Sequence, residues 1–157
     1  MYHFFVNQEQ IGQDTVTVTG PDVNHIKNVL RMKPGEEVLI SNGVDKDYVC
    51  RLQTITSDAV TAEIVTVTEG GTELPAKFYL FQGLPKSDKM EFLIQKAVEL
   101  GVYQVIPVET RRTVVKLDAK KVEAKVRRWN AVSESAAKQS KRLIIPEVTG
   151  VMTFQEA

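Results

Sequence analysis

Residues 77–108, KFYLFQGLPKSDKMEFLIQKAVELGVYQVIPV, carry the pattern that predicts the fold of the second half of the chain. Residues 77–83 form a nearly continuous apolar run, which is typical of a strand covered on both faces, and residues 102–108 form a second buried run. Between them, apolar residues recur with the 3.6-residue period of a helix, at Met90, Leu93, Ile94, Ala97 and Val98. A strand, a helix and a strand in this length predict a βαβ unit with two parallel strands.

The ends of this helix also carry sequence signals. Ser87 or Asp88 is the predicted N-cap, and Glu91 is placed to close a capping box with Asp88. Gly101 fits the position after the helix, where a glycine readily adopts the left-handed conformation. The helix is therefore bounded on both sides.

A second helix is predicted over residues 118–140. Its apolar residues step by three or four positions, at Ala119, Val122, Val126, Trp129, Val132 and Ala136. Lys121, Lys125 and Arg128 share another face. Such a helix is about 30 Å long, so this basic face could follow several phosphates. Residues 153–157 then predict the start of one more helix.

Two parallel strands and two helices fall short of a complete α/β domain. A doubly wound sheet usually needs further strands before both of its faces are covered. The apolar run at 77–83 demands partners that residues 77–157 barely supply. We therefore expect the sequence to stop within its second domain.

The first part of the chain predicts a small β-barrel. Thr and Val alternate over residues 15–19, and further β-rich runs cover residues 37–41, 48–55 and 59–67. A short helix fits residues 23–31. Residues 69–75, EGGTELP, are the best linker. We expect a barrel domain over residues 1–72 and an α/β domain over residues 73–157.

The net charge of zero hides a strong asymmetry. Residues 1–76 hold 5 Lys/Arg against 11 Asp/Glu, whereas residues 111–142 hold 11 Lys/Arg against 3 Asp/Glu. The second segment has a net charge of +8 in 32 residues, and such a field attracts polyanions. The charge pattern favours a nucleic-acid partner, and the alternative is a solvated helix face.

Several classes of function have no support in the sequence. There is no apolar run long enough to span a membrane and no dinucleotide, phosphate-loop, zinc or nucleophile-elbow motif, and a signal peptide is not expected from the first residues. Cys50 is the sole cysteine and is expected to be a small core residue, while His3 and His25 are expected to be satisfied or surface histidines. No metal site is predicted, and a reducing cytoplasm is the expected location.

Specific blocks of sequence carry a resemblance to a known family. They are QGLPKSDKME (82–91), IQKAVELGV (94–102), TRRTVV (110–115), Trp129, ESAAKQSKR (134–142) and IPEV (145–148). In the first part, FFV (4–6) and HIKNVLR (25–31) agree. In this order and spacing, the chain resembles the family called ribosomal RNA small subunit methyltransferase E over essentially its whole length.

The resemblance implies a fold and an activity. The fold is a PUA-like β-barrel that docks RNA, followed by a SPOUT-type α/β methyltransferase domain whose C-terminal knot binds S-adenosylmethionine. The activity is methyl transfer to ring nitrogen 3 of a uridine in 16S rRNA of the small ribosomal subunit, by an enzyme that is usually a homodimer. The family's glycine-rich GPEGG loop and later LG..ILR.ETA segment are absent from this sequence. The catalytic and cofactor-binding residues are therefore expected beyond Ala157, and the 157-residue chain is expected to be inactive alone.

The residues expected to contact RNA carry positive charge or a carboxamide. They are Arg112, Gln139, Arg142, Lys86, Arg31, His25, Lys121, Lys125 and Arg128. For Gln139 and Arg142 the alternative is that they buttress the end of the second helix. Glu134 either orients an arginine or pairs with Lys138. A non-catalytic RNA-binding module remains the alternative to a methyltransferase, and an unrelated α/β protein with a basic surface is a third reading.

Overall fold

The computed structural model describes residues 1–71, 73–86, 89–111 and 118–157, together forming two compact units, residues 1–72 and residues 73–157. Each unit has its own sheet. The predicted N-cap of the first helix of the second unit, Ser87 or Asp88, lies outside the described residues.

The first unit is built on a five-stranded sheet. Its strands are β1 (Tyr2–Phe5), β2 (Thr15–Thr19), β3 (Glu37–Ser41), β4 (Lys46–Ile55) and β5 (Ala59–Glu69). Their spatial order is β1-β3-β4-β5-β2, with β1 parallel to β3 and the other pairs antiparallel. The sheet curls into a half-barrel with β1 and β2 at its edges, which confirms the predicted PUA-like fold.

Alternation of side chains explains how this sheet forms its core. In β2, Val16 and Val18 are buried while Thr15 and Thr19 point outward. Inward-facing residues of β3, β4 and β5 complete the core: Val38, Ile40, Cys50, Leu52, Val60 and Ala62. Cys50 is fully buried, as predicted, and burial raises the pKa of its thiol to about 12.

The helix predicted over residues 23–31 differs from the structure at both ends. Helix α1 covers Pro21–Asn24 and continues as a wider π-helical turn over His25–Val29. Arg31 then adopts a left-handed backbone with φ of 53°, so the helix cannot continue to it. Val23 and Ile26 are buried and Leu30 packs against the same core, so these three residues form the apolar face of the segment.

The second unit contains a parallel sheet with helices on it. Its elements are β6 (Tyr79–Gly83), α2 (Lys89–Glu99), β7 (Gln104–Glu109), α3 (Ala119–Gln139), β8 (Glu147–Val148) and β9 (Met152–Thr153). Strand β7 pairs in parallel with β6 on one side and with β8 and β9 on the other. The βαβ prediction is confirmed. Residues 153–157, predicted to start a helix, instead form the end of β9 and a single turn in which Glu156 accepts hydrogen bonds from Thr153.

Helix ends in this unit follow local chemistry. Gly101 has a φ of 98°, its N–H bonds to the carbonyl of Val98, and the N–H of Val102 reaches the carbonyl of Ala97. These two bonds are the Schellman pattern that stops a helix. Asp118 caps α3 by accepting a hydrogen bond from the N–H of Lys121 at 2.8 Å.

Strand β6 is more open than its apolar sequence predicted. Phe78, Tyr79 and Phe81 expose 56%, 50% and 55% of their surface. In the part of the chain that the structure describes, β6 lies at the edge of the sheet and pairs with β7 alone. The expectation that both of its faces are covered is therefore wrong for the described residues.

Candidate nucleic-acid interface

One side of α3 carries most of the predicted RNA contacts of the second unit. Six residues spaced by three or four positions fall on that side. We call them the α3 stripe: Lys121, Lys125, Arg128, Val132, Ser135 and Gln139. All are exposed except Val132, which is half-buried at the border of the apolar face. The first half of the stripe is basic and the second half is neutral.

The basic half of the stripe is partly engaged by carboxylates. Arg128 donates to both carboxylate oxygens of Glu91 on α2, at 3.1 and 3.2 Å. This hydrogen-bonded pair raises the pKa of Arg128 and lowers the pKa of Glu91. Lys121 lies 3.6 Å from the carboxylate of Asp118. Both ion pairs are exposed to solvent and therefore weak. The basic half of the stripe therefore keeps much of its attraction for phosphate.

Arg142 does not lie on this surface. It is 5% exposed, and its guanidinium donates to both carboxylate oxygens of Glu73 and to the carbonyls of Val98 and Val102. Glu73 also accepts from the N–H groups of Leu143 and Ile144. This geometry favours the alternative in which Arg142 buttresses the end of α3. The expectation that Arg142 contacts RNA is corrected, because its guanidinium donors bond to groups inside the second unit.

The neutral half of the stripe lines a cleft between α2 and α3. The cleft has a volume of about 250 Å³ and is lined by Gln95, Val132, Ser135, Ala136 and Gln139. Gln139 is thus exposed beside a cleft rather than buttressing the helix end. Gln95 and Ser135 were missed because neither residue type stands out in the sequence. Glu134 pairs with Lys138 at 2.9 Å, one of its two expected roles.

A second cleft lies at the carboxyl ends of the parallel strands, where α/β proteins bind ligands. It has a volume of about 290 Å³ and is lined by Phe81, Gly83, Val108, Thr110, Phe154 and Ala157. Lys86 is exposed in the loop after β6. The cleft would suit an apolar ring, but none of the described side chains that line it carries a charge. These residues do not by themselves form a pocket for a cofactor with a carboxylate, an ammonium and a sulfonium group.

The remaining predicted residues fall elsewhere. His25 and Arg31 are exposed in the first unit, and the His25 ring meets Phe4 edge-on at 6.2 Å. Arg112 lies outside the described residues. The structure therefore brings Lys121, Lys125, Arg128 and Gln139 together on one element and leaves His25 and Arg31 on another.

His3 is a buried histidine with a polar contact at Nε2, and not a surface histidine. It is 7% exposed, and its Nε2 lies 2.6 Å from the hydroxyl of Ser41, which donates to Asp47. In a Ser-His-Asp triad the aspartate accepts a hydrogen bond from the histidine, whereas here Asp47 accepts one from Ser41. The cluster is thus a buried polar contact between β1, β3 and β4.

The described residues contain neither a cluster for a metal ion nor a membrane-spanning helix. No three His, Cys, Asp or Glu side chains in the described ranges are placed to hold a metal ion. No described helix is both long enough and apolar enough to cross a membrane.

Comparison with known families defines the class of protein. An RNA methyltransferase domain model matches residues 72–157, and an RNA methyltransferase PUA domain model matches residues 18–65. The two matches fall on the α/β unit and on the curled sheet. The class is therefore that of RNA methyltransferases with an N-terminal PUA domain.

Individual relatives narrow the class. Ribosomal RNA small subunit methyltransferase E of Bacillus subtilis is 39% identical over 156 residues, covering 99% of this chain and 61% of the relative. The protein of the same name from Mesomycoplasma hyopneumoniae is 33% identical, covering 99% of this chain and 65% of that one. The chain belongs to the ribosomal RNA small subunit methyltransferase E family. It spans somewhat less than two thirds of the length of these relatives.

Solved structures agree with this assignment. A ribosomal RNA small subunit methyltransferase E from Neisseria gonorrhoeae, bound to S-adenosyl methionine, matches with a TM-score of 0.87 at 31% identity. The match covers 99% of this chain and 64% of that one. A putative methyltransferase from Legionella pneumophila in complex with the same cofactor has a TM-score of 0.85 at 30% identity, over 99% and 64% of the two chains.

Proposed function

We propose that the protein takes part in methylation of ring nitrogen 3 of a uridine in 16S rRNA, with S-adenosylmethionine as the methyl donor. The observation that carries the proposal is the match of the whole second unit to an RNA methyltransferase domain. Solved relatives that are bound to the same cofactor support the choice of donor. The substrate is then the small ribosomal subunit, and the place of action is the cytoplasm.

The role proposed for the described residues is to hold RNA. Lys121, Lys125 and Arg128 present positive charge along about 10 Å of α3, and phosphate contacts of this kind position a nucleic acid without reading its sequence. Gln139 continues the same stripe with a carboxamide, which can bond a base edge. His25 and Arg31 supply contacts in the first unit, which docks RNA independently.

The proposed division of labour is a PUA-like RNA-docking domain over residues 1–72 and a methyltransferase domain over residues 73–157. Lys86, in the loop at the carboxyl edge of the sheet, is proposed to approach the RNA near the second cleft. A homodimer is proposed for the working enzyme. The cofactor contacts and the catalytic residues are proposed to lie outside the described residues, because the described side chains that line the second cleft offer no partner for a charged cofactor.

The basic half of the α3 stripe also supports a second candidate function, a non-catalytic RNA-binding module. A module of this kind would hold RNA through the basic half of the α3 stripe and transfer no methyl group. The two candidates share the RNA surface and differ in whether rRNA is modified.

Disruption of the gene tests the proposal. We expect 16S rRNA from the disrupted strain to lack one 3-methyluridine, measured by mass spectrometry of nuclease fragments, and a plasmid copy of the gene to restore it. A strain that carries the gene with an early stop codon on the plasmid is the control. Unchanged methylation in the disrupted strain would refute the enzyme and leave the RNA-binding module.

A further inference from the structure

The cleft between α2 and α3 has a polar rim and an apolar floor. Gln95 reaches it from α2, Ser135 and Gln139 reach it from α3, and Val132 and Ala136 complete the lining. Its volume of about 250 Å³ lies below the ~300–1,000 Å³ of pockets that enclose drug-sized ligands. The cleft therefore has room for a single planar ring and not for a whole nucleotide cofactor.

The polar groups of the cleft are available to a ligand. The side chains of Gln95, Ser135 and Gln139 make no hydrogen bond within the part of the chain that the structure describes. Each carboxamide offers donors on its nitrogen and an acceptor on its oxygen, and the hydroxyl offers both. A ligand with adjacent donors and acceptors on one edge would satisfy all three.

The cleft continues the basic half of the α3 stripe. Val132 lies one turn after Arg128, and Lys125 and Lys121 precede it on the same side of the helix. One turn of helix is about 5.4 Å, so a phosphate held by Arg128 lies within reach of a base in the cleft. Phe92, which is 60% exposed, stands three residues before Gln95 on α2 and offers a ring for stacking.

We propose that this cleft holds one unpaired base of a single-stranded RNA segment whose phosphates lie along Lys121, Lys125 and Arg128. The Watson–Crick edge of every base carries hydrogen-bonding groups that carboxamides and hydroxyls can match, and that edge is accessible only when the base is unpaired. The cleft then distinguishes an unpaired base from a paired one. The inference rests on the proposed RNA-binding role of α3.

The experiment compares a short single-stranded oligoribonucleotide with the same ribose-phosphate chain lacking its bases. The binding of each to the 157-residue chain is measured by fluorescence anisotropy. We expect the wild-type chain to prefer the intact oligonucleotide and the double variant Gln95→Ala/Gln139→Ala to lose about tenfold of that preference, the scale of one good base contact. The control variant Gln53→Ala/Gln155→Ala removes two exposed carboxamides elsewhere and should keep the preference.

The outcomes separate this inference from the function on which it rests. If both oligomers bind with salt-dependent affinity and the cleft variant keeps the wild-type preference, the proposal that the cleft binds a base is refuted. The proposed RNA-binding role of α3 is then still supported. If neither oligomer binds in a salt-dependent way, the RNA-binding role fails and the base site with it. Circular dichroism and Trp129 fluorescence show whether each variant is folded, since Trp129 is buried in α3.

Discussion

Arg142 shows how one residue changes meaning between sequence and structure. In the sequence, an arginine at the end of a basic helix suggests an RNA contact. In the structure the side chain of Arg142 is buried and bonded to Glu73, which lies 69 positions earlier. The pair joins the start of the second unit to the ends of α2 and α3. Its role is to hold these segments together.

Replacement of Arg142 should therefore cost stability rather than RNA affinity. We expect Arg142→Ala to lower the free energy of unfolding of the second unit by about 3–5 kcal/mol, because the carboxylate of Glu73 would remain largely buried without its partner. Urea denaturation followed by Trp129 fluorescence measures this. Arg127→Ala, at an exposed position of α3, is the control and should change stability by less than about 0.5 kcal/mol. Equal effects of the two substitutions would contradict the buttressing role.

Cys50 gives a second prediction at this scale. Burial raises the pKa of its thiol to about 12, whereas an unfolded cysteine titrates near 8.5. The folded state therefore favours the neutral thiol, and the resulting stability is complete below about pH 8.5 and is lost as the pH rises from there towards 12.

The measurement is alkylation by a thiol reagent at pH 8. We expect the native chain to be protected and the urea-unfolded chain to react completely, since the thiolate is the reactive form. A Cys50→Ser variant controls for reaction at other groups. Rapid reaction of the native chain would show that Cys50 is not held in the core.

Helix α3 packs against the rest of the second unit with one face and presents the α3 stripe, the proposed RNA contact, on another. Trp129, Ser133, Ala136 and Ala137 are buried, and Asn130 bonds the backbone of Val148 through both its amide nitrogen and its oxygen. These contacts fix the rotation of α3 about its axis. The α3 stripe faces solvent as a consequence, and periodicity alone could predict that much.

Removing two charges from the stripe should weaken RNA binding in a way that salt reveals. For Lys121→Gln/Lys125→Gln we expect the slope of log affinity against log salt to fall by about 1.4, since each phosphate contact with a single strand contributes about 0.7. The matched control is Lys120→Gln/Arg127→Gln, which removes the same charge from another side of α3. Identical slopes for the two variants would mean that net charge matters and the stripe does not.

Element boundaries in this protein were predictable where local chemistry sets them. The Schellman bonds at Gly101 and the cap at Asp118 depend on residues within one turn, and the prediction that Gly101 ends its helix is confirmed. A side chain at Gly101 would also meet Leu74 at 2.6 Å. That second reason for glycine comes from a residue 27 positions away, and the sequence contains no sign of it.

At the scale of the whole molecule, the described residues support RNA binding better than cofactor binding. We expect the 157-residue chain to bind S-adenosylmethionine weakly or not at all, because the cleft at the carboxyl edge of the sheet is small and the described side chains that line it carry no charge. Isothermal titration calorimetry measures this, with S-adenosylhomocysteine as a ligand lacking the sulfonium charge. Low-micromolar binding of either ligand would contradict the expectation.

Apart from β1, β8, β9 and the bounds of α1, sequence patterns were enough to predict the main strands and helices, the change from β-rich to α/β patterning, the charge asymmetry and the family. Each of these follows from residues that are close together in the chain or from motifs in a fixed order. Three features became visible only in the folded chain: Arg142 is buried, Gln95 meets Gln139 across a cleft, and one face of β6 is open in the described residues. The physical reason is that burial and pairing depend on which elements meet in space, and residues such as Glu73 and Arg142 look the same in a sequence whether they face water or each other.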